Sequence, residues 1–362
     1  MHLTGNRGEW SEIYVLFRLL AEGKIFAANS DLEKLSIYFP VQHIYREETK
    51  GHAVDYELTE TIRIFLNDKF LKEVDRASFS EKADQLLHEL KQQLKGNHLS
   101  FPLIEDFMND VLCYKISSSS QDKADIILKI LDVYTGYSPV VGFSIKSKLG
   151  NLPTLFNASQ QTNFLYQISL ANEKRYLSDA NTSYKIVNPT EDYSIKSRVR
   201  NLLDRGFALQ YRDISGIILK DNLILIDSLM DRILAESLIY FYSGRATHCL
   251  DIVRILQDEN PLGYRNPHAY AHKFKKFLTA VALGMKPSKI WDGLDEASGG
   301  YIVVKEDGDV LAYHIYNRNH FEDYLLNNTK FDTPSSSRHK FGKMISEDGN
   351  DYIKLNLQIR FK

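Results

Sequence analysis

The chain has 362 residues, 43% hydrophobic and 25% charged, with a formal net charge of -2. That is the composition of a soluble globular protein, long enough for two domains or one elaborated one. Its two isolated cysteines, Cys113 and Cys249, exclude a disulfide framework and a cysteine-rich zinc site.

The opening MHLTGNRGEW holds no apolar signal core, and no uncharged apolar run reaches the roughly 18 residues of a membrane span. The longest candidate, LILIDSLMDRILAESLIYFY, is broken by Asp227, Asp231, Arg232 and Glu236. A cytoplasmic protein without a membrane partner is expected. Net charge does not decide for or against nucleic acid, because a binding footprint is local. Three stretches are basic: SIKSRVRNLLDRGFALQYR, YRNPHAYAHKFKK and SSSRHKFGK. Each alone reads as a solvated face. Together, in a nearly neutral protein, they lean towards a polyanionic partner.

In chain order, GNRGEWSEIYVLFRLLAEGK predicts a helix, with apolar residues at Trp10, Ile13, Tyr14, Phe17, Leu20 and Ala21, Asn6 as N-cap and Gly23 as stop. IYFPVQHIYREETKGHAVDYEL predicts two strands around a charged turn at Gly51. SFSEKADQLLHELKQQLKG predicts a helix whose start is a capping box of Ser78 and Glu81, and a second helix follows around 100–112. ADIILKILD and VVGFSIKSK form the next pair of strands, joined through Gly136 and Pro139. QTNFLYQISL offers a further strand, and 228–283 reads as mostly helical. GGYIVVKEDGDVLAYHIYN predicts a hairpin around Asp307-Gly308, and DYIKLNLQIRF a single closing strand. Mixed elements without regular βαβ units argue for an α+β fold. A boundary near 225 would separate a catalytic core, 1–225, from a helical and β segment, 226–362, suited to DNA recognition.

The chemistry centres on GFSIKSKLG. Strand alternation puts Ser144, Lys146 and Lys148 on one face, with Val141, Phe143 and Ile145 opposite. Asp125, at the start of the preceding strand, can project to the face of Ser144 and Lys146. An acid on one strand and a lysine on the next is the layout of metal-dependent nucleases. Ser144 stands where such sites carry a second acid, and a neutral hydroxyl binds Mg²⁺ poorly. The Ile145 carbonyl can still coordinate a hard cation, and Glu12, from the first helix, can supply the missing carboxylate. Glu12 lies beside an apolar stripe, where an ionised carboxylate is costly unless paired or metal-bound; a simple pair with Arg7 or Lys146 is the other reading. Asp122 is a competing ligand ahead of the strand, and Asp132 lies too far along it to meet the lysine. Asp125 with Ser-x-Lys alone fits a surface hairpin as well as a site.

GNRGEWSEIYVLFRLLAEGKIFAA, FSIKSKLG, TLFNASQQTNFLY, TPSSSRHKFG and KLNLQIRF together resemble the HpaII-type restriction endonucleases, over essentially the whole chain. The resemblance implies a PD-(D/E)XK restriction-endonuclease-like core, a mixed central sheet flanked by helices. It also implies Mg²⁺ dependence and cleavage of double-stranded DNA within a short palindrome, CCGG in the family's namesake. A companion methyltransferase is implied as well, and a palindrome favours a twofold homodimer. Asp125, Glu12 and the Ile145 carbonyl are expected to bind Mg²⁺. Lys146, kept protonated by its acidic neighbours, would orient water and stabilise the transition state, leaving 5′-phosphate ends. Lys148, Asn157, Ser159, Gln160, Gln161, Thr162, Asn163, Arg338, His339 and Lys340 are candidates for DNA contact. Arg360 alternates with Ile359 and Phe361, which fits a half-exposed strand equally well. A junction or repair nuclease on this fold, or a non-catalytic DNA-binding protein, are the alternatives.

Overall fold

The computed structural model describes residues 2–49, 51–93, 98–117, 124–133, 135–150, 153–170, 194–314 and 318–362. Two units interleave along the chain: Met1–Pro153 with Asp295–Tyr324, and Thr154–Leu294 with Leu325–Lys362.

The first unit opens with α1 (Arg7–Glu22), whose ends follow from its sequence. The Asn6 side chain accepts the Glu9 N–H at 3.1 Å, and the Glu9 carboxylate accepts the Asn6 N–H at 2.6 Å. Gly23 ends the helix at φ 67°, a conformation glycine adopts without steric cost. Strands β1 (Lys24–Ala28), β2 (Lys34–Thr49), β3 (His52–Leu58), β4 (Ile62–Leu66) and β5 (Lys69–Val74) follow, then α2 (Arg76–Gln92), α3 (Pro102–Asp110), β6 (Ile126–Ile130) and β7 (Val140–Ser147). Helix α2 starts earlier than its sequence suggests: Asp75 is the N-cap and makes no side-chain cap bond, so Ser78 sits inside the first turn rather than capping it.

The second unit then intervenes, with β8 (Thr154–Phe156), β9 (Asn163–Leu170), α4 (Ile195–Asp204), β10 (Phe207–Ile214), α5 (Ile217–Ile226), α6 (Met230–Tyr242), α7 (Cys249–Glu259) and α8 (Ala269–Leu283). Position 225, expected near a boundary, falls within α5 of this unit. The chain returns to the first unit as the hairpin β11 (Gly300–Val304) and β12 (Val310–His314). After α9 (Arg318–Asn328) come β13 (Thr329–Phe331), α10 (Ser336–His339), β14 (Met344–Glu347), β15 (Asn350–Asn356) and β16 (Ile359–Phe361).

The first unit's sheet runs β1-β12-β11-β7-β6-β2-β3-β4-β5. Because β1 also pairs with β2, its first six strands close on themselves. The returning hairpin lies parallel to β7 through β11 and parallel to β1 through β12. Its turn is tied to α1: Gly308, at φ 104°, accepts the Tyr14 hydroxyl at 2.6 Å. A Cβ at Gly308 would lie 2.4 Å from a Leu87 methyl carbon, so both conformation and space demand glycine. Helix α1 buries Ile13, Leu16, Phe17 and Leu20 in one core with Phe143, Ile145 and Ile302 of the sheet. Trp10 packs edge-on to Phe101, and Phe17 to Phe79 and Phe107.

In the second unit the order is β10-β9-β15-β14, with a separate sheet β13-β16-β8. The expected single closing strand is therefore two strands in different sheets. Between them the Leu357 N–H is taken by the Thr162 carbonyl at 3.0 Å. No helix among the described residues is long and apolar enough to cross a membrane.

The cap on α1 supports the helix that carries Glu12. Losing an N-cap side chain costs about 1 kcal/mol. Asn6→Ala is expected to lower the first unit's unfolding free energy by that amount, read from Trp10 fluorescence in urea in a Trp291→Phe background.

Candidate active site

Strand β7 lies between β6 and β11, and its side chains alternate as the sequence predicts. Phe143 and Ile145 enter the core, while Ser144 and Lys146 share the other face. Strand β6 begins at Ile126, opposite Phe143, so β7 continues to Ser147 beyond the end of its neighbour. Asp125 occupies this gap. Its N–H donates to the Phe143 carbonyl at 2.8 Å, and its Oδ2 accepts the Ile145 N–H at 2.6 Å and the Ser144 hydroxyl at 3.0 Å. A strand residue's N–H and C=O point to the same edge. The Ile145 carbonyl therefore faces the edge that β6 leaves uncovered. The Lys146 ammonium donates to the Ser144 hydroxyl at 2.8 Å, completing a chain from lysine through serine to aspartate.

Helix α1 brings in Glu12. The Ser11 and Ser147 hydroxyls are hydrogen-bonded at 2.8 Å, and Arg7 donates to the Leu149 carbonyl at 3.3 Å. These contacts fix the helix along the end of β7. Glu12, next to Ser11, then lines a cleft of about 260 Å³ together with Asp125, Ile145 and Lys146. Groups distant in sequence thus share one pocket within one unit.

Burial draws the Lys146 ammonium below its ordinary pKa, with the charges of Asp125 and Glu12 opposing that shift. The net direction is down, burial outweighing the two acidic neighbours. The residue that sequence reasoning missed here is Tyr301. It pairs in parallel register with Ser144, and the Lys146 nitrogen stands 5.2 Å from its ring centre. Burial, and next the charge of Asp125, push its hydroxyl pKa well up. A cation over an aromatic face is stabilised by the ring quadrupole. No local motif marks Tyr301, because the pairing of β11 with β7 spans residues 154–294 of the second unit.

Among the described residues no three His, Cys, Asp or Glu side chains group to hold a metal. Three carboxylates line the cleft: that of Glu9 accepts the Asn6 N–H in the helix cap, and those of Glu12 and Asp125 stand with the Ile145 carbonyl as candidate ligands. That all-oxygen set suits a hard cation such as Mg²⁺, which is bound through a few carboxylates and keeps water for its other positions. Asp122 lies outside the described residues. Asp132 is buried in the β6–β7 connection, where it accepts the Thr135 hydroxyl at 2.7 Å.

Of the other candidates, Lys148 is half-buried in the first unit, just past β7. Asn157, Gln160 and Gln161 are exposed in the second unit. Ser159 caps the turn that follows it, accepting the Gln161 N–H at 3.1 Å. Thr162 and Asn163 are buried, and their polar groups are spent within the fold. Thr162 bonds back to Ser159, and Asn163 donates to the His339 carbonyl and accepts from Asn356. Arg338 and Lys340 are exposed and His339 is half-buried. Arg360 is paired with Asp332 at 3.3 Å.

The HpaII restriction endonuclease family matches residues 6–361. The type II restriction enzyme HpaII of Haemophilus parainfluenzae is 41% identical over 365 residues, covering 99% of this chain and 98% of that enzyme. No solved structure matches the chain. A match that runs from the N-cap of α1 to the end of β16, with a relative aligned over its full length, establishes that the chain belongs to the HpaII restriction endonuclease family.

Proposed function

We propose that this protein is a Mg²⁺-dependent type II restriction endonuclease on a PD-(D/E)XK-type core. It hydrolyses double-stranded DNA within a short palindrome, CCGG by analogy with the family's namesake. The observation that carries the reading is the meeting of Glu12, Asp125 and Lys146 on one cleft. Asp125, Glu12 and the Ile145 carbonyl would hold the ion. When bound, Mg²⁺ supplies Lewis-acid stabilisation of charge on the phosphoryl oxygens and acidifies water.

The chain's own groups do the rest. Ser144 is too weak a ligand to replace an acid, but its hydroxyl holds both Lys146 and Asp125. Lys146 orients the attacking water and meets the negative charge that grows in the transition state. Burial works against its charged form, and an incoming phosphate adds an anion that favours it. Exposed Asn157, Gln160 and Gln161 are assigned to base reading, and Arg338, His339, Lys340 and Lys148 to DNA contact. In-line attack leaves 5′-phosphate and 3′-hydroxyl ends. A twofold dimer suits a palindromic site, and a companion methyltransferase would protect host DNA.

Plasmid incubated with the protein and Mg²⁺ should yield discrete fragments whose sequenced ends share one short palindrome. Ends without a shared sequence, or cutting confined to branched DNA, would favour a junction or repair nuclease. Binding without cutting in Mg²⁺ or Mn²⁺ would favour a non-catalytic protein.

Lys146→Ala is expected to bind duplex DNA as the parent does while cleaving about 10³-fold or more slowly. Undiminished cutting would remove Lys146 from the mechanism. Asp125 makes a poorer first test, because its loss leaves the Ile145 N–H without its acceptor, at about 1–3 kcal/mol.

EDTA should abolish cleavage and added Mg²⁺ restore it. Removing even an outer partner of a metal ligand lowers affinity about tenfold or more. Glu12→Gln should therefore raise the Mg²⁺ concentration for half-maximal cleavage by at least that factor, and an unchanged Mg²⁺ titration would exclude Glu12 as a ligand.

A further inference from the structure

The second unit holds a second concavity, of about 550 Å³, with a charge character opposite to that of the first. It is lined by Arg198, Lys340, Lys343 and Lys354, with the hydroxyl-bearing Ser336 and Ser337, over an apolar floor. No acidic residue among those described lines it. These cations come from separate stretches: α4, the residues between α10 and β14, and β15. Two of the basic runs in the sequence, around 198 and around 340, thereby converge on one place. Lys354, unremarkable in sequence, joins them because β15 carries it there. Arg198 is held by the Gly342 carbonyl at 2.8 Å, an uncharged acceptor.

Elsewhere in this unit several basic side chains are paired with acids, although Arg200 and Arg212 also bond neutral oxygens. Lys273 pairs with Asp227, Lys220 with Asp213, Arg245 with Glu259 and Arg360 with Asp332. The four cleft cations form no ion pair with any described acid. Four like charges kept together, with no counter-charge among the described residues, repel one another, so the arrangement favours an external anion. Their origin in separate stretches suits an extended polyanion better than a single phosphate. Duplex DNA presents one charge per about 1.7 Å of axis.

We propose that this cleft binds the phosphate backbone of duplex DNA, giving the second unit a sequence-independent anchor. The proposal rests on the reading that the protein acts on DNA, and it deepens that reading by naming the surface and its chemistry. The Arg198 side chain also braces the fold, so the test falls on the lysines.

The experiment measures binding to fluorescent duplexes with and without CCGG, in EDTA, across a salt series. The triple variant Lys340→Gln, Lys343→Gln, Lys354→Gln is compared with a charge-matched control, Lys72→Gln, Lys220→Gln, Lys305→Gln. Each lost phosphate contact lowers the slope of log affinity against log salt by about 0.9. The cleft variant should lose about three units of slope and weaken on both duplexes alike, with an unchanged circular dichroism spectrum. The control should keep the parent slope. An unchanged slope in the cleft variant, an equal loss in the control, or weakening on the CCGG duplex alone would overturn the assignment. Cleavage of plasmid by the parent protein, measured separately in Mg²⁺, reports on the endonuclease reading whatever the binding series gives.

Discussion

Strand β6 starts opposite Phe143 while β7 runs on to Ser147, and that mismatch leaves main-chain groups of β7 with no strand to satisfy them. The Asp125 carboxylate takes the place of the missing strand, accepting from the Ile145 N–H and the Ser144 hydroxyl. Ile145 is 8% exposed, so its N–H would be costly to leave unpaired. The carboxylate is therefore held in position by the needs of the sheet, whether or not an ion is present. Ser144, fixed by the same carboxylate, then holds the lysine. A backbone defect in the sheet thus becomes a preorganised set of charged groups, and its cost is met by hydrogen bonds that orient the chemistry.

Helix α1 has an equally specific reason for its position. Its apolar stripe is continuous with the core of the sheet, and hydrophobic burial alone would tolerate some sliding along the helix axis. The polar pins remove that freedom: Ser11 to Ser147, the Trp10 ring nitrogen to the Leu99 carbonyl at 3.0 Å, and Tyr14 to Gly308. Glu12 lies between two pinned neighbours, so its carboxylate reaches the cleft and not the core. A hydroxyl pair such as Ser11 and Ser147 adds little net stability. Its value lies in register, because a shift of one residue would turn Glu12 away from Asp125.

Much of the first unit was legible because its signals are local. The N-cap at Asn6, the stop at Gly23, the alternation of Phe143, Ile145 and Lys146, and the Asp307-Gly308 turn each depend on neighbours in sequence. Glu12 could be singled out because a carboxylate beside an apolar stripe is a conflict that asks for a partner. What stayed hidden depends on long-range pairing. Tyr301 reaches Lys146 through a parallel pairing with β7, and Lys354 joins Lys340 and Lys343 through the turn into β14 and β15. The start of α2 was misread because Ser78 and Glu81 match a capping box that the chain passes over, Asp75 having already begun the helix. Thr162 and Asn163 look like free polar groups in a loop, yet tertiary packing spends them on Ser159, His339 and Asn356.

The order of the units along the chain bears on how the site could be assembled. The first unit's sheet cannot close until β11 and β12 have been made, since β12 pairs with β1 and β11 with β7. Before that, β7 has an open edge, and Lys146 lacks the Tyr301 ring that lies against it. Closing a loop as long as the second unit carries an entropic cost, but that cost grows only with the logarithm of length. The segment 154–294 therefore adds little to the cost of closing the first unit's sheet, and the second unit's own sheets and basic cleft are completed by the residues that follow, 325–362. The acidic groups suited to a metal lie in one unit and the four cations of the second cleft in the other. Were the two sets in one cleft, the lysines would pair with Glu12 and Asp125 and each would neutralise the other's purpose.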